Sequence, residues 1–149
     1  MGAGATDQAV TYTKRLVGVC YLFMLVMSTG MFFLADFLVS LFNLSPEAVG
    51  MAAQVLRICA VGNVIFWPMS FTLPNSLRAA GDAVFTMMVS LCSMFACRVA
   101  LSYVLACSWG LNLGLAGVWL AMVADWIVRS FLFLLRYWRG SWKKIKVIE

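Results

Sequence analysis

The stretch that decides the fold is LGLAGVWLAMVADWIVRSFLFLL, residues 113–135. It is almost entirely apolar, and it is as long as the roughly 20 residues with which a helix crosses the hydrocarbon core of a bilayer. Three stretches of the same kind precede it, at residues 16–42, 51–73 and 83–107. The links between them are short and force neighbouring helices to run antiparallel. The sequence therefore predicts an all-α integral membrane protein with four antiparallel transmembrane helices.

The composition agrees with this prediction and argues against an enzyme. Hydrophobic residues make up 64% of the 149 residues and charged residues 11%, against about 45–50% and roughly 25% in soluble domains. The lipid bilayer is therefore the first expected partner. The sequence has no His, the commonest general base and metal ligand, and no GxSxG, HExxH or phosphate-loop motif. We expect no cofactor, no metal and no catalytic residues, and we interpret the five cysteines as small buried hydrophobic residues.

The links between the apolar stretches carry ordinary helix start and stop signals. Ser45 is placed to cap a helix that has Pro46 at its first position. Gly81 is expected to end one helix, and the side chain of Asp82 is expected to cap the next. The third link, residues 108–114, contains two glycines and a tryptophan of the kind found at membrane interfaces.

The basic residues indicate the orientation in the membrane. Of eleven Lys and Arg, eight fall on one side of a four-span hairpin and none falls in the two links on the other side. Because basic loops stay in the cytoplasm, we expect a multi-pass protein of the plasma membrane, or cell inner membrane, with both termini cytoplasmic. Residues 1–15 would form a lead-in and residues 136–149 a basic tail that meets lipid headgroups through Trp138 and Trp142, not nucleic acid. The eight are Lys14, Arg15, Arg78, Arg136, Arg139, Lys143, Lys144 and Lys146.

Five charged residues lie inside the predicted spans, where a central charge costs at least ~2.5–3.5 kcal/mol. Asp125 and Arg129 are four residues apart, share a helix face and are expected to pair. Together with Arg98 they either fix helix packing or line a polar, ion-coupling pathway, and the sequence leaves both open. Asp36 and Arg57 lie near the outer ends of their spans, where they are placed to meet each other.

The second span contains a proline and a mixed polar stripe. Pro68 removes a backbone hydrogen bond and is expected to kink the helix. Asn63, Trp67, Ser70 and Pro74 follow helical spacing on one stripe. Such a stripe suits a cavity for large lipophilic molecules, and ordinary helix packing explains it equally well.

Several segments together resemble the multidrug and toxic compound extrusion (MATE) family. Leu77-Arg78-Ala79-Ala80-Gly81-Asp82 is similar to the cytoplasmic L-R-G-A-G-D-T loop between helices ten and eleven of that family, with Ala79 in place of the usual Gly and Ala83 in place of the usual Thr. Residues 114–129 look like the last helix of the family. The other similar segments are Gly2-Ala3-Gly4 with residues 12–15, the lead-in to helix nine; residues 42–47, the outer turn; and residues 133–143, the tail.

The resemblance implies a fragment of a larger transporter. Members of the family have twelve helices in two six-helix bundles around a cavity, and this chain would supply helices nine to twelve, part of the C-terminal bundle. Its further partners would be the missing N-terminal helices and a small-molecule drug or cation, exported in exchange for protons or sodium ions. Some members hold the coupling cation on an acidic residue in helix ten. Residues 51–73 contain none, so that sodium site is not supported.

Two alternatives remain open from the sequence. One is a complete small multidrug transporter of four helices acting as a dimer. Such proteins depend on a glutamate in the first helix, whereas the first span here has only Asp36, near its outer end. The other is a membrane assembly subunit that transports nothing. An upstream reading frame encoding eight more helices would separate both from the fragment.

Overall fold

A computed structural model of the chain describes residues 6–107 and 111–145. Four helices are long and apolar enough to cross a membrane, which confirms the predicted all-α membrane fold. Gly2-Ala3-Gly4, Ser108 to Gly110, Lys146 and Glu149 lie outside the described residues. The elements in chain order are α1 (Thr6–Phe33), α2 (Ala35–Ser40), α3 (Pro46–Trp67), a π-helical segment (Pro68–Thr72), α4 (Leu73–Ala79), α5 (Ala83–Ser93), a second π-helical segment (Met94–Leu101), α6 (Ser102–Ala106), α7 (Gly114–Trp138) and a 3-10 turn (Ser141–Lys144).

The element α7 lies at the centre of the bundle and packs against both α3 and the third span, Ala83–Ala106. Five of its six buried residues recur every four positions, from Gly117 to Phe133, and so form one stripe along the helix. The element α1 packs mainly against the second span, and its outer face carries many exposed large apolar side chains, as expected for contact with lipid or with further helices. The buried residues of α7 are Gly117, Ala121, Asp125, Trp126, Arg129 and Phe133.

The helix bounds differ in places from those predicted by hydropathy. The element α1 begins at Thr6 and not at residue 16, because residues 6–15 contain no Gly or Pro that would break a helix. It ends at Phe33, where Leu34 leaves the helical conformation before the short α2. Ser45 caps α3 as predicted: its hydroxyl accepts a hydrogen bond from the Ala48 N–H at 3.4 Å.

Pro68 widens the second span into a π-helical turn. The Leu73 N–H donates to the Pro68 carbonyl five residues earlier, a spacing wider than the four residues of an α-helix. The third span contains a longer segment of the same kind, Met94–Leu101, which the sequence does not signal with a proline. Such segments shift the side chains that follow by about one position around the helix, and they are frequent at functional sites.

The chain after α7 folds back onto the bundle. Gly140 has a φ of +66° and reverses the chain, and the Trp142 indole N–H then donates to the Tyr137 carbonyl at 3.1 Å. Trp142 is 3% exposed and belongs to a core cluster, so its predicted role as a headgroup anchor is wrong, whereas Trp138 is exposed. The cluster consists of Leu73, Leu77, Ala80, Phe133 and Trp142.

The cysteines depart in part from the expected burial. Cys97 is buried, and Cys20, Cys59 and Cys107 are half-buried. Cys92 is exposed on α5, so only some of the five behave as buried hydrophobic residues within this chain.

Candidate functional site

Asp125 lies fully buried on α7 and binds two arginines. Its Oδ1 accepts a hydrogen bond from Nε of Arg129 at 2.9 Å, and its Oδ2 accepts one from Nε of Arg98 at 3.1 Å. The predicted i,i+4 pair is therefore confirmed, and the structure adds Arg98 to it. We call Arg98, Asp125 and Arg129 the charged triad. Both carboxylate oxygens carry charge-assisted bonds, the stronger class of hydrogen bond.

Arg129 is held on several sides. Its Nε also donates to the Ser93 hydroxyl at 2.8 Å, and Nη2 donates to the Ser90 carbonyl at 3.1 Å. Its guanidinium carbon lies 5.9 Å from the centre of the Phe71 ring, within the range of a cation–π contact. Arg129 thus ties α7 to α5 and to the π-helical segment of the second span.

Arg98 is less enclosed than Arg129. It lies in the π-helical segment of the third span, and its side chain is 32% exposed, against 11% for Arg129 and 0% for Asp125. In the described part of the chain, its one hydrogen-bonded contact is the bond from Nε to Asp125. The Asp125 carboxylate is fully buried and its charge is matched by two guanidinium groups, so the geometry suits packing better than ion exchange. The predicted polar pathway stays a prediction.

A second ion pair joins α2 to α3. Nη2 of Arg57 lies 2.6 Å from Oδ2 of Asp36, which confirms that these two residues meet. Both side chains are partly exposed, so this pair resembles a surface salt bridge more than the charged triad does.

Neighbouring helices satisfy backbone carbonyls just before Pro68. The Tyr21 hydroxyl of α1 donates to the Ile65 carbonyl at 3.1 Å. The Ser130 hydroxyl of α7 donates to the Phe66 carbonyl at 3.0 Å. A break in a membrane helix is tolerated where such partners exist, and neither of these two contacts was signalled by a pattern in the sequence.

The predicted cavity residues of the second span occupy different surroundings. Asn63 lines an open cavity of about 440 Å³ between α1 and α3, and its amide donates to Sγ of Cys59 at 3.6 Å. Trp67 stacks on Phe71 with 5.1 Å between ring centres, whereas Pro68 and Ser70 are buried. A role for these residues in binding substrate stays a prediction. The other side chains around the cavity include Met24, Met27, Ser28, Met31, Leu34 and Leu38.

The motif of residues 77–82 forms a defined helix stop. Gly81 has a φ of +91°, a conformation that glycine adopts at no steric cost. Its N–H donates to the Arg78 carbonyl at 2.9 Å, and the Asp82 N–H donates to the Leu77 carbonyl at 3.0 Å, the two bonds of a Schellman motif. Leu77 itself is buried in the core cluster.

Asp82 binds α7 and does not cap α5 with its side chain. Nε and Nη2 of Arg136 donate to its two carboxylate oxygens at 2.7 and 3.2 Å, and no side-chain cap bond forms at the start of α5. The predicted capping role is therefore wrong, because a bidentate guanidinium competes for the carboxylate. Arg136 also lies over the Phe85 ring at 4.5 Å. From the sequence alone, Arg136 contributed only to the prediction of orientation in the membrane.

Comparison with known proteins identifies the family. The MatE family model matches residues 1–104. The chain is 34% identical over 106 residues to the uncharacterized transporter YisQ of Bacillus subtilis, covering 69% of this chain and 22% of that protein. It is 27% identical over 127 residues to the probable multidrug resistance protein NorM of Thermotoga maritima, covering 85% of this chain and 27% of that protein.

The comparisons also show how much of these relatives the chain covers. The chain spans about a quarter of the length of these curated relatives. No solved structure matches it. The family match covers more than half of the chain and includes the loop motif that suggested the resemblance. This chain therefore belongs to the MATE family of membrane transporters.

Proposed function

We propose that the chain is part of an exporter of cationic or lipophilic compounds that exchanges them for protons or sodium ions. The observation that carries this proposal is the family match, together with the similarity to a protein named as a probable multidrug resistance protein. Because the chain spans about a quarter of that relative, its proposed partners are the remaining transporter helices.

The open cavity beside Asn63 supports a role in contacting substrate. Its wall combines one amide with three methionines, Met24, Met27 and Met31. Methionine side chains are flexible and polarisable, so they adapt to ligands of different shape, and promiscuous binding surfaces use them for this reason. We propose that this wall forms one side of the transport cavity, which the remaining helices complete.

The charged triad supports a packing role in this chain, with the coupling carboxylate elsewhere in the transporter. Within the four described spans, Asp125 is the one acidic residue that lies deep in the membrane. Both of its oxygens bind guanidinium groups. Arginine stays protonated in proteins, so these two partners do not leave by losing a proton. An ion that drives transport would bind more readily at a carboxylate without such partners.

We expect this chain alone to give no efflux, because one wall cannot enclose a substrate. The test compares cells that express this chain, the full-length transporter or neither, loaded with a fluorescent lipophilic cation. Membrane expression is confirmed by immunoblotting. The full-length protein should lower cell fluorescence, and collapse of the ion gradient should abolish the effect. Efflux by this chain alone that depends on an ion gradient would instead support the four-helix dimer.

We expect both termini to be cytoplasmic. The Asp82–Arg136 contact places the 79–82 turn beside the end of α7, and a cavity lined by Tyr12, Ser76 and Tyr137 places the start of α1 at the same end. The basic residues of these segments therefore cluster together, and such clusters stay inside. Reporter fusions after Glu47, Asp82, Trp109 and Glu149 should report outside, inside, outside and inside. A cytoplasmic report at Glu47 would contradict this orientation.

A further inference from the structure

We propose that Arg98 binds a carboxylate carried by a transmembrane helix of the same transporter that lies outside this chain. The charged triad contains two guanidinium groups and one carboxylate, so it carries one excess positive charge at membrane depth. Arg129 is enclosed and has further acceptors in Ser93 and Ser90. The unmatched charge therefore belongs to Arg98, whose terminal nitrogens have no partner among the described residues.

Among the residues that the structure describes, no acidic side chain is available to match it. The sequence contains six Asp and Glu. Asp36 binds Arg57 and Asp82 binds Arg136, and the single negative charge of Asp125 is already shared by Arg98 and Arg129. The other three lie at the helix starts or the chain end: Asp7, Glu47 and Glu149. Because no described carboxylate is free for Arg98, we assign its second carboxylate to a helix outside the chain.

The depth of Arg98 favours a helix over a lipid headgroup. It lies fifteen residues after Ala83 and eight before Ala106, which places it about 12 Å from the nearer end of the span at 1.5 Å per residue. A long cationic side chain in that position could snorkel toward a headgroup, but the bond from Nε to Asp125 holds this one at the depth of the triad. A phosphate at the membrane surface is therefore out of reach.

The surface around Arg98 also fits a packed helix. Phe95 and Val99, on either side of it in the π-helical segment, are exposed in this chain. A cation flanked by apolar side chains is complementary to an apolar helix face that carries a single acid. Charged residues within membrane spans pair with one another because an unpaired charge is costly at that depth.

The first test uses the full-length transporter and measures the yield of folded protein in the membrane. Arg98→Met should lower it at least threefold, and Arg98→Lys, which keeps the charge, should lower it less. Each Asp and Glu in the transmembrane helices outside this chain is then changed to its amide, with and without Arg98→Met. One such change should lower yield alone and restore yield in the double variant. If no acid couples to Arg98 in this way, the proposal is wrong.

The second test uses the 149-residue chain, where the partner carboxylate is absent. The effect of Arg98→Met on the yield should therefore have the opposite sign. Arg98→Met should raise its yield in the membrane, because Asp125 keeps Arg129 and the unmatched charge is gone. Arg57→Met is the matched control: it leaves Asp36 without a partner and should not raise the yield. A loss of yield with Arg98→Met would mean that Arg98 serves packing within the chain alone, which contradicts the proposal.

A lipid partner would give a different pattern. In that case the gain in folded protein from Arg98→Met would disappear in vesicles with half phosphatidylglycerol and persist in vesicles of neutral lipid. In addition, no acid in the full-length protein would couple to Arg98. That pattern would overturn the proposal. Both tests measure folded protein and not transport, so their outcome is independent of whether the proposed export activity is found.

Discussion

Changing Asp125 to asparagine should lower the yield of folded transporter more than any other single change in the charged triad. The carboxylate is fully buried and binds Arg98 and Arg129 through separate oxygens. Asparagine would leave two cations at membrane depth without the carboxylate that they share and would direct amide hydrogens toward a guanidinium donor. Removing one partner of a buried ion pair costs about 3–5 kcal/mol. Membrane yield and thermal stability of the purified full-length protein are the measurements.

The matched variants separate charge balance from the loss of a particular side chain. Arg129→Gln leaves the carboxylate with Arg98 and should lower the yield less than Asp125→Asn does. The double change Asp125→Asn with Arg129→Gln removes one charge of each sign and restores the original balance. It should therefore be milder than either single change, although each single change removes fewer native groups.

Transport measurements on the same variants decide between the two roles that the sequence left open. If the charged triad only fixes packing, transport per folded molecule should survive the double change. If Asp125 carries the coupling ion, Asp125→Asn should abolish ion-coupled transport while the yield stays nearly normal. Equal yields for all three variants, with normal transport, would mean that Asp125 and Arg129 neither stabilise the fold nor couple it to an ion.

The parts of this structure that the sequence predicted depend on short-range rules. Length and hydropathy predicted the four spans, and a spacing of four residues predicted the Asp125–Arg129 pair. Ser45 and Gly81 occupy the helix start and stop that their chemistry favours. Each of these inferences needs only the geometry of one helix or one turn.

The parts that the sequence did not predict depend on how helices are rotated against each other. In a soluble protein the apolar face of a helix points to the core, but lipid is as apolar as the protein interior and removes this signal. The contacts of Asp125 with Arg98 and of Asp82 with Arg136 join residues 27 and 54 positions apart. The contact of Asp125 with Arg98 also depends on the π-helical segment Met94–Leu101. This segment contains Arg98 and changes the direction in which the side chains point.

The close approach of α6 to α7 depends on Gly117, and Gly117→Ala should destabilise the chain. A Cβ atom at this position would lie 2.7 Å from the Leu105 carbonyl oxygen and 3.1 Å from the Ala106 nitrogen. Both are backbone atoms, so relief requires moving a whole helix and not one side chain. Overpacking of this kind costs about 1–3 kcal/mol, and small residues are enriched at membrane helix contacts because they avoid it.

Two other glycines serve as controls, and they show whether the effect of Gly117→Ala is specific to the contact between α6 and α7. Gly18 in α1 has no atom within 4 Å of its ideal Cβ position, so Gly18→Ala should stabilise the chain by about 0.5–1 kcal/mol, the usual gain from alanine within a helix. At Gly62 the Cβ would meet side-chain atoms of Val123 and Trp126 at 3.0 and 3.1 Å. These are side-chain atoms and not backbone, so relief needs a small shift of two side chains and not of a helix, and Gly62→Ala should fall between the other two.

The measurement is the midpoint temperature of thermal unfolding of the purified chain. This midpoint should be higher than that of wild type for Gly18→Ala and lowest for Gly117→Ala. Gly117 also lies two turns before Asp125 on the buried stripe of α7. A displaced α6 would carry the end of the third span away from α7 and lengthen the bond from Arg98 to Asp125. The effect of Arg98→Met on the midpoint should therefore be smaller in the Gly117→Ala variant than in the unchanged chain. Strictly additive effects, or a Gly117→Ala midpoint equal to that of Gly18→Ala, would show that the two helices do not meet at this glycine.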